Sequence, residues 1–368
     1  MGEFVNYCAG VHRGILPASR VDAILVNVPQ QAAHAAAVRA TSRMFEQAQT
    51  RHSMLDSGGY QFLRIEEKGG RVEFNPTGPL VYLPDRINIT PQHVIQAALN
   101  LRPHIVTALD FPVPKISDPV KQDLEFMKKL GVNLVFMTET SKLRSRYCPE
   151  IELFIPIQCY TLEQLGYYER QLSDLEYDGL SLPTRNLDPA GISLFLLKFY
   201  QMGVRRVHLL SVSNFAGLAL ATYFARHVLD WCSVDATTWR LEAQYANYLH
   251  PFDMGKISVR DNAVVNECDF LPCNCPRCSG NSFRHLMQLT LTEKTAFLRD
   301  HNYHVIQNIG REFFSIAGNF DEFVKHLASR DRRRSRKVSK LIDALTIVHT
   351  RRDDPIDTLR QELGGGKL

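Results

Sequence analysis

Short apolar runs, rich in β-branched and aromatic residues, alternate along the chain with longer amphipathic segments. This alternation is typical of a parallel sheet whose strands are connected by helices. We predict strands at residues 24–28, 53–56, 105–110, 134–138, 154–158, 179–182, 207–211 and 233–236. An open doubly wound sheet would show a similar pattern. Eight strands are the number that closes a barrel, so we expect an α/β fold of the (β/α)8 TIM-barrel class.

The spacing of apolar residues predicts helices between these strands. They fall at residues 30–47, 91–100, 119–130, 162–172, 189–202 and 215–229, with two more after the barrel at 292–299 and 304–316. A basic run, RDRRRSRKVSK at 330–340, is either a solvated helix face or a phosphate contact, and the glycines at 364–366 predict a flexible tail. We therefore divide the chain into a catalytic barrel (1–265), a metal-binding subdomain packed on it (266–320), and a basic helical C-terminal segment with its tail (321–368).

The composition is that of an ordinary globular protein, with 45% hydrophobic and 22% charged residues among 368. The formal charge of +4 permits a nucleic-acid partner without requiring one. No signal peptide or apolar run of membrane-spanning length is evident, so we expect a cytoplasmic protein without a membrane partner. In a reducing compartment, a dense group of cysteines predicts a metal site rather than disulfides.

Three of the eight cysteines form such a group. Cys273, Cys275 and Cys278 have the spacing Cys-x-Cys-x-x-Cys, and His301-Asn302 follows after one helix length. Three thiolates and one imidazole complete a tetrahedral zinc site with no position left for water or substrate. We therefore predict a structural Zn²⁺ ion, with His304 as the alternative to His301.

Polar residues stand where the predicted strands end. They are Asp56, Asp110, Gln158, Ser211 and Asp235. The carboxyl ends of barrel strands are where catalytic residues are placed, although an Asp after a strand can also cap the next helix. Asp56 begins the sequence DSGGYQ at 56–61, whose glycine pair permits a tight turn and the close approach of a ligand; the same sequence also makes ordinary turns.

Together, DSGGYQ, CNCPRC at 273–278 and the His-Asn pair resemble the tRNA-guanine transglycosylase superfamily. The resemblance covers roughly residues 50–315. It continues through ALDFP at 108–112, IPIQ at 155–158, VHLLSV at 207–212 and SVDA at 233–236. It implies a (β/α)8 barrel with a zinc subdomain, and an enzyme that exchanges a base in a nucleic acid for a 7-deazaguanine.

The resemblance also implies roles for individual residues. Asp235 would be the nucleophile that attacks C1′ of the sugar and holds a covalent glycosyl-enzyme intermediate, and Asp56 would be the second carboxylate, which handles protons. Asp110 and Gln158 would read the heterocycle, and Tyr60 would stack on it or form the pocket wall. The full set implied to bind substrate is Ser57, Gly58, Gly59, Tyr60, Asp110, Gln158, Gly179 and Leu210.

The chain departs from the family at several positions. Gln158 is followed by Cys159-Tyr160 where the family usually has Gly-Gly, and the segment 177–181 keeps one glycine of another pair. The residues from Trp239 to Tyr248 do not match those with which tRNA enzymes contact their substrate loop, and the extra RNA-binding domains of archaeal tRNA enzymes are not evident.

On these departures the chain resembles most the DNA-modifying branch, which inserts a 7-deazaguanine such as preQ0 into DNA. We expect DNA as the substrate and keep tRNA as the alternative. A second alternative is a non-catalytic accessory subunit that binds nucleic acid. That reading predicts the loss of a catalytic carboxylate, whereas Asp56 and Asp235 are both present. Because flipping a paired guanine costs free energy, a partner ATPase that opens the duplex is a further hypothesis.

Overall fold

A computed structural model describes most of the chain. It covers residues 2–9, 16–17, 21–28, 39, 42–43, 51–59, 63, 72–73, 80–82, 88–185, 187–212, 214–260, 270–331 and 336–364. Nearly all of the predicted helix 30–47, together with Tyr60 and residues 365–366 of the predicted tail, lies outside these residues.

From residue 88 to residue 236 the strands alternate with helices, as predicted. In chain order the strands are β1 (Glu3–Cys8), β2 (Ala23–Asn27), β3 (His52–Asp56), β4 (Val72–Glu73), β5 (Leu80–Tyr82), β6 (Asn88–Ile89), β7 (Ile105–Thr107), β8 (Glu152–Pro156), β9 (Gly179–Pro183), β10 (Arg206–Leu210), β11 (Trp231–Ala236), β12 (Asn247–Leu249) and β13 (Lys256–Ser258). Eight of them close a parallel barrel in the spatial order β1-β11-β10-β9-β8-β7-β3-β2. The predicted TIM-barrel class is confirmed.

The helices described are α1 (Pro91–Leu101), α2 (Pro119–Tyr147), α3 (Leu162–Leu172), α4 (Pro189–Gln201), α5 (Phe215–His227), α6 (Thr238–Gln244), α7 (Phe283–Gln288), α8 (Leu291–Ile316), α9 (Phe320–Arg330), α10 (Arg336–Arg351) and α11 (Ile356–Glu362). Many of these helices have an N-cap residue whose side chain accepts a hydrogen bond from a backbone N–H of the first turn, for example Thr90 before α1 and Asp188 before α4. Where 292–299 and 304–316 predicted two helices, α8 is continuous, because the residues between them are buried and helical.

One predicted strand is wrong. Residues 134–138 belong to α2, which Asp118 caps and which runs unbroken to Tyr147. Phe136 and Met137 are buried there, with Asn133 and Thr140 on the same face. A short apolar run can be the buried face of a helix as readily as a strand, and here the helix prevails.

The eighth barrel strand is instead β1, which the pattern did not reveal. It pairs in parallel with β11 over six residues, from Glu3 opposite Trp231 to Cys8 opposite Ala236, and it also pairs with β2. Its polar residues, Glu3 and Asn6, interrupt the apolar run. The first strand therefore lies before the first predicted one, and it closes the barrel beside the strand that carries Asp235.

The barrel interior is filled at its amino-terminal end by large side chains. Trp231 packs edge-on against Phe154, with ring centroids 5.2 Å apart. Gly179, the first residue of β9, lies at this end: a Cβ atom there would come within 2.6 Å of the Phe154 ring. The structure thus places Gly179 away from the carboxyl ends of the strands, where a base would bind. Its lack of a side chain is explained by the close packing of the Phe154 ring.

The C-terminal helices pack against the barrel helices. The Tyr223 hydroxyl of α5 and Nδ1 of His349 on α10 are 3.0 Å apart, and Arg352 donates to the His227 carbonyl at 2.6 Å. In the basic run, Arg330 is buried and donates to the carbonyl oxygens of Pro251 and Phe252, so this cation is structural. The division into three domains stays a prediction. Within the part of the chain described above, no helix combines the length and the hydrophobicity needed to cross a membrane.

Candidate active site and metal site

Four of the predicted site residues come together at the carboxyl-terminal mouth of the barrel. Asp56 ends β3, Asp235 lies next to the end of β11, and Asp110 and Gln158 follow β7 and β8. The carboxyl ends of parallel strands meet at one rim, which is why residues far apart in sequence become neighbours. Three carboxylates at one rim bring negative charges close together, an arrangement that is common at functional sites.

Asp110 is the most firmly held of the three carboxylates. Its Oδ1 accepts a hydrogen bond from the Ser57 hydroxyl at 2.5 Å, and its Oδ2 accepts one from Nε2 of Gln158 at 2.5 Å. Burial raises the pKa of Asp110 to about 6, while these two hydrogen bonds act in the opposite direction. A fixed carboxylate of this kind presents its remaining lone pairs in a defined direction.

The two glycines of the DSGG sequence are required for different reasons. Gly58 has a φ of 78°, in the left-handed region that glycine adopts without strain. At Gly59 a Cβ atom would lie 2.3 Å from Oδ1 of Asp110, so any side chain would displace that carboxylate. The backbone of the turn therefore lies directly against the Asp110 carboxylate, with no room for a side chain between them.

Asp56 is half-buried at the end of β3. Its Oδ2 accepts from the Gly58 N–H at 3.0 Å, and its Oδ1 accepts from the Thr107 hydroxyl at 3.3 Å. Burial, and then the negative charges of Asp110 and Asp235, raise the pKa of Asp56 to about 7. A carboxyl group that titrates near neutrality can both take up and release a proton at physiological pH.

Asp235 is buried on β11 and is held through one oxygen. Its Oδ1 accepts from the Ser211 backbone N–H at 2.7 Å, and Nε2 of His208 lies 3.4 Å from the same oxygen. Ser211 has a φ of 64°, which is uncommon outside glycine and which accompanies this contact. In this backbone conformation, the N–H of Ser211 points at Asp235 and orients its carboxylate.

The wall between Asp110 and Asp235 comes from β9, β10 and the segment after Gln158. Leu210 ends β10, and its carbonyl oxygen accepts from the Thr184 hydroxyl at 2.8 Å. The Tyr160 hydroxyl donates to the Val113 carbonyl at 2.8 Å, and Cys159 is buried with a pKa raised by that burial. Leu210 thus ends its strand at the mouth, its role in binding substrate stays a prediction, and Cys159-Tyr160 anchors the wall.

Sequence reasoning missed Thr107, Thr184 and His208. Thr107 links two parts of the site, since its Oγ1 donates to Asp56 and accepts from the Ser57 N–H at 2.7 Å. The sequence feature that could have revealed these residues is a polar side chain within an otherwise apolar strand. Such a residue must face a polar partner in the barrel, but the sequence does not say which one.

A second polar cluster lies in the region after the barrel. The ligand atoms of Cys273, Cys275, Cys278 and His301 all lie within 4.8 Å of one another, and all four residues are buried. Nδ1 of His301 is 3.2 Å from the Cys278 sulfur and 3.7 Å from the Cys275 sulfur. Hydrogen bonds from Cys273 and then Cys278 lower the pKa of the Cys275 thiol. The donor set and its convergence suit a metal ion.

Surrounding residues orient this cluster. Nε2 of His301 donates to the Leu249 carbonyl at 2.8 Å, which leaves Nδ1 as the nitrogen that faces the sulfurs. The Tyr248 ring stacks on the imidazole, with centroids 3.8 Å apart. Asn302 exchanges hydrogen bonds with Leu249 and Asn247 of β12. The His-Asn pair therefore fixes both the histidine tautomer and the adjacent strand.

His304, the alternative ligand, is one helical turn further along α8 and is not in the converging cluster. Its Nε2 is 2.7 Å from Nδ2 of Asn308. The geometry thus brings together the set that contains His301.

Comparison with known proteins supports the resemblance drawn from the motifs. The chain is 23% identical over 269 residues to a tRNA-guanine(15) transglycosylase of Thermococcus onnurineus (strain NA1). The match covers 69% of this chain and 38% of that protein, so the chain spans less than two fifths of the length of this relative. No family model matches the chain. The similarity supports the superfamily and does not distinguish its DNA-modifying branch.

Proposed function

We propose that this protein is a guanine transglycosylase that exchanges guanine in DNA for a 7-deazaguanine base. The observation that carries the proposal is the group of Asp56, Asp110 and Asp235 at one barrel mouth, with the pKa of Asp56 near 7. The similarity to a tRNA-guanine transglycosylase supports the same chemistry.

In the first step, Asp235 attacks C1′ of the target nucleotide. The Ser211 N–H holds Oδ1, so Oδ2 forms the new bond to C1′ as the bond to N9 of guanine breaks. The departing guanine takes a proton, which Asp56 in its protonated form supplies. The product is a glycosyl ester on Asp235, as in a retaining glycosidase.

In the second step, the incoming base regenerates the nucleotide. Asp56, now ionised, takes the proton from N9 of the 7-deazaguanine, and N9 attacks C1′ while the ester bond to Asp235 breaks. The two inversions restore the original configuration at C1′. A pKa near 7 allows Asp56 to serve as the acid in one step and the base in the other.

Recognition of the base falls to Asp110 and Gln158. A carboxylate can accept from N1–H and from the exocyclic amine of a guanine-like edge, and adenine offers no such pair of donors. Ser57 and Gln158 use part of the lone-pair capacity of Asp110 and fix its direction. Rejection of adenine then follows because the remaining lone pairs of a buried carboxylate would have no donor from the base.

The cysteine cluster would hold a Zn²⁺ ion through Cys273, Cys275, Cys278 and His301. Three thiolates and one imidazole would leave no coordination position for water or substrate, so the ion would supply folding free energy and have no part in base exchange. Because His301 also bonds to β12, the site ties α8 to the segment that follows the barrel.

Preference for DNA rests on the segment from Trp239 to Tyr248. It differs from the residues by which tRNA enzymes contact their substrate loop. Trp239 is buried and donates to the Ala9 carbonyl at 2.8 Å, while Tyr248 packs on His301. Trp239 and Tyr248 are therefore engaged in packing inside the protein. The second candidate, tRNA as substrate, is favoured by the name of the similar archaeal protein.

The test is incorporation of labelled guanine and labelled preQ0 into duplex DNA, DNA with a mismatched guanine, single-stranded DNA and tRNA. We expect label in DNA and none with Asp235→Asn. Incorporation into tRNA alone would overturn the DNA assignment, and no incorporation into any substrate would overturn the transglycosylase. Label in single-stranded or mismatched DNA, with none in the duplex, would indicate that a partner such as an ATPase opens the helix.

A further inference from the structure

A buried histidine lies beside the candidate nucleophile. His208 on β10 is fully buried, and its Nδ1 is 2.7 Å from the Ser233 hydroxyl of β11. Its Nε2 is 3.4 Å from Oδ1 of Asp235 and, among the described residues, has no hydrogen-bond partner of good geometry. A buried nitrogen without a hydrogen-bond partner costs free energy. The position of Nε2 next to Asp235 therefore suggests that the two groups interact during the reaction.

The contact with Ser233 decides which nitrogen carries the proton. If Nδ1 were protonated, the lone pair of Nε2 would face the lone pairs of Asp235 and repel them. If the Ser233 hydroxyl donates to Nδ1, the proton resides on Nε2 and points at Oδ1. In the neutral imidazole, only this second tautomer suits both neighbours.

The surrounding strands fix the orientation of the ring. Tyr7 of β1 packs edge-on against it, with centroids 5.8 Å apart and planes at 80°. Ser181 of β9 and Ser233 of β11 stand opposite His208 in the strand register. Neighbours on three strands thus hold the imidazole, and its Nε2 can approach Asp235 by a small displacement when substrate binds.

We propose that Ser233 and His208 form a positioning pair for Asp235. Ser233 fixes the Nε2–H tautomer, and this N–H, together with the Ser211 N–H, holds Oδ1 so that Oδ2 faces C1′. The inference rests on the proposed role of Asp235 as nucleophile. His208 acts through Asp235 and does not itself contact the substrate.

Two substitutions of His208 separate this role from simple packing. The side-chain nitrogen of glutamine reaches about as far as Nε2, whereas that of asparagine reaches only as far as Nδ1. We expect His208→Asn to lower kcat for guanine exchange about 10²-fold with KM for the nucleic acid unchanged. His208→Gln should recover most of the loss. Equal activity in the two variants, or a wild-type kcat in His208→Asn, would overturn the proposal.

Ser233→Ala tests the coupling within the pair. We expect a loss in kcat of about 5–10-fold in the wild-type background and none in the His208→Asn background, because the serine acts only through the tautomer. The same loss in both backgrounds would show that Ser233 acts independently of His208 and would contradict the pair.

A spectroscopic measurement decides the matter without activity. In the ¹⁵N spectrum of the imidazoles, with the His208 signals assigned from His208→Gln, we expect an unprotonated Nδ1 and a protonated Nε2. The Nε2 signal should shift in Asp235→Asn, and Ser233→Ala should mix the two tautomers. A protonated Nδ1 in the wild type would refute the proposal. If no nucleic acid supports exchange, the proposed function fails, while this spectrum still decides the pairing.

Discussion

The barrel mouth and the cysteine cluster are both groups of four largely buried polar side chains, yet they are built on opposite principles. In the cluster, four donor atoms converge within 4.8 Å, and the imidazole is fixed by a backbone carbonyl and a stacked tyrosine. At the mouth, burial and then the negative charges of Asp110 and Asp235 raise the pKa of Asp56 to about 7. Convergent ligands stabilise a fold, whereas crowded carboxylates cost stability and supply reactivity.

Asp235→Asn should separate the two regions most sharply. The amide cannot form the glycosyl ester, so we expect exchange to fall by roughly 10⁴-fold or more. The cysteine cluster is distant in sequence and is built from other elements. Metal content and the free energy of unfolding should therefore stay close to those of the wild type. An exchange assay and a metal measurement on the same preparation check the loss of exchange and the retention of metal.

Residual exchange above about one tenth of wild type in Asp235→Asn would contradict the nucleophile assignment. The corresponding control is Asp230→Asn, at an exposed position just before β11 and outside the mouth. That variant should retain exchange.

Cys275→Ala should have the reverse profile. Removal of one thiolate opens the ligand set, and we expect loss of the metal and at least ~3 kcal/mol of unfolding free energy, part of the larger binding free energy of a structural zinc site. Cys232→Ala is the matched control, a buried cysteine of the barrel outside the cluster. It should keep the metal and cost only ~1 kcal/mol.

Chemical denaturation of the wild type and of both variants, each purified in the presence of Zn²⁺ and with its zinc content determined by atomic absorption, makes this comparison. Equal destabilisation by the two alanine substitutions would indicate that Cys275 is a core residue and not a ligand.

The pH dependence of exchange should come from the mouth and not from the cluster. In the step that activates the incoming base, Asp56 must be ionised, and its pKa lies at about 7. The rate of this step should fall about tenfold per pH unit below 7. Single-turnover rates from a preformed glycosyl intermediate between pH 5 and 9 measure it. A rate that is flat across pH 7 would assign the proton transfer to another group.

Much of the mouth could be predicted from the sequence because polar residues at strand ends converge in any barrel. Asp56, Asp110, Gln158 and Asp235 were found in this way, without knowledge of the strand order. The cluster was predictable for a different reason, since Cys-x-Cys-x-x-Cys brings three ligands together within one short segment. The choice of His301 over His304 came from the spacing of the family's metal segment, and the convergence of His301 with the three sulfurs agrees with it.

The errors have physical causes. Residues 134–138 lack the length that distinguishes a strand from the buried face of a helix. Gly179 begins its strand, as the predicted strand 179–182 already had it; its base-binding role came from the family's glycine pair alone, and the family pattern does not show which end of the strand a single remaining glycine occupies. His208 and Thr107 point inward from apolar strands, and their partners are on neighbouring strands whose order the local pattern does not contain.

Asp56→Asn should stabilise the protein at neutral pH while it impairs exchange. The folded-state pKa of Asp56 is raised from about 4 to about 7, so the folded state binds more protons in that window and stability falls as pH rises through it. Removing the charge should therefore add roughly 1–2 kcal/mol above pH 7 and almost nothing at pH 4. Urea unfolding at both pH values measures the difference. A loss of stability at pH 8 would show that the carboxylate is favourably solvated or paired.

His304→Ala should have the smallest effect, and it tests the boundary of the cluster. His304 lies one turn beyond His301 on α8, is half-buried and contacts Asn308. We expect unchanged zinc content and a change in unfolding free energy within about 0.5 kcal/mol. His301→Ala, by contrast, removes a converging ligand and the hydrogen bond to Leu249. Zinc loss in His304→Ala with retention in His301→Ala would reverse the ligand assignment, because a tetrahedral set with three thiolates has room for only one imidazole.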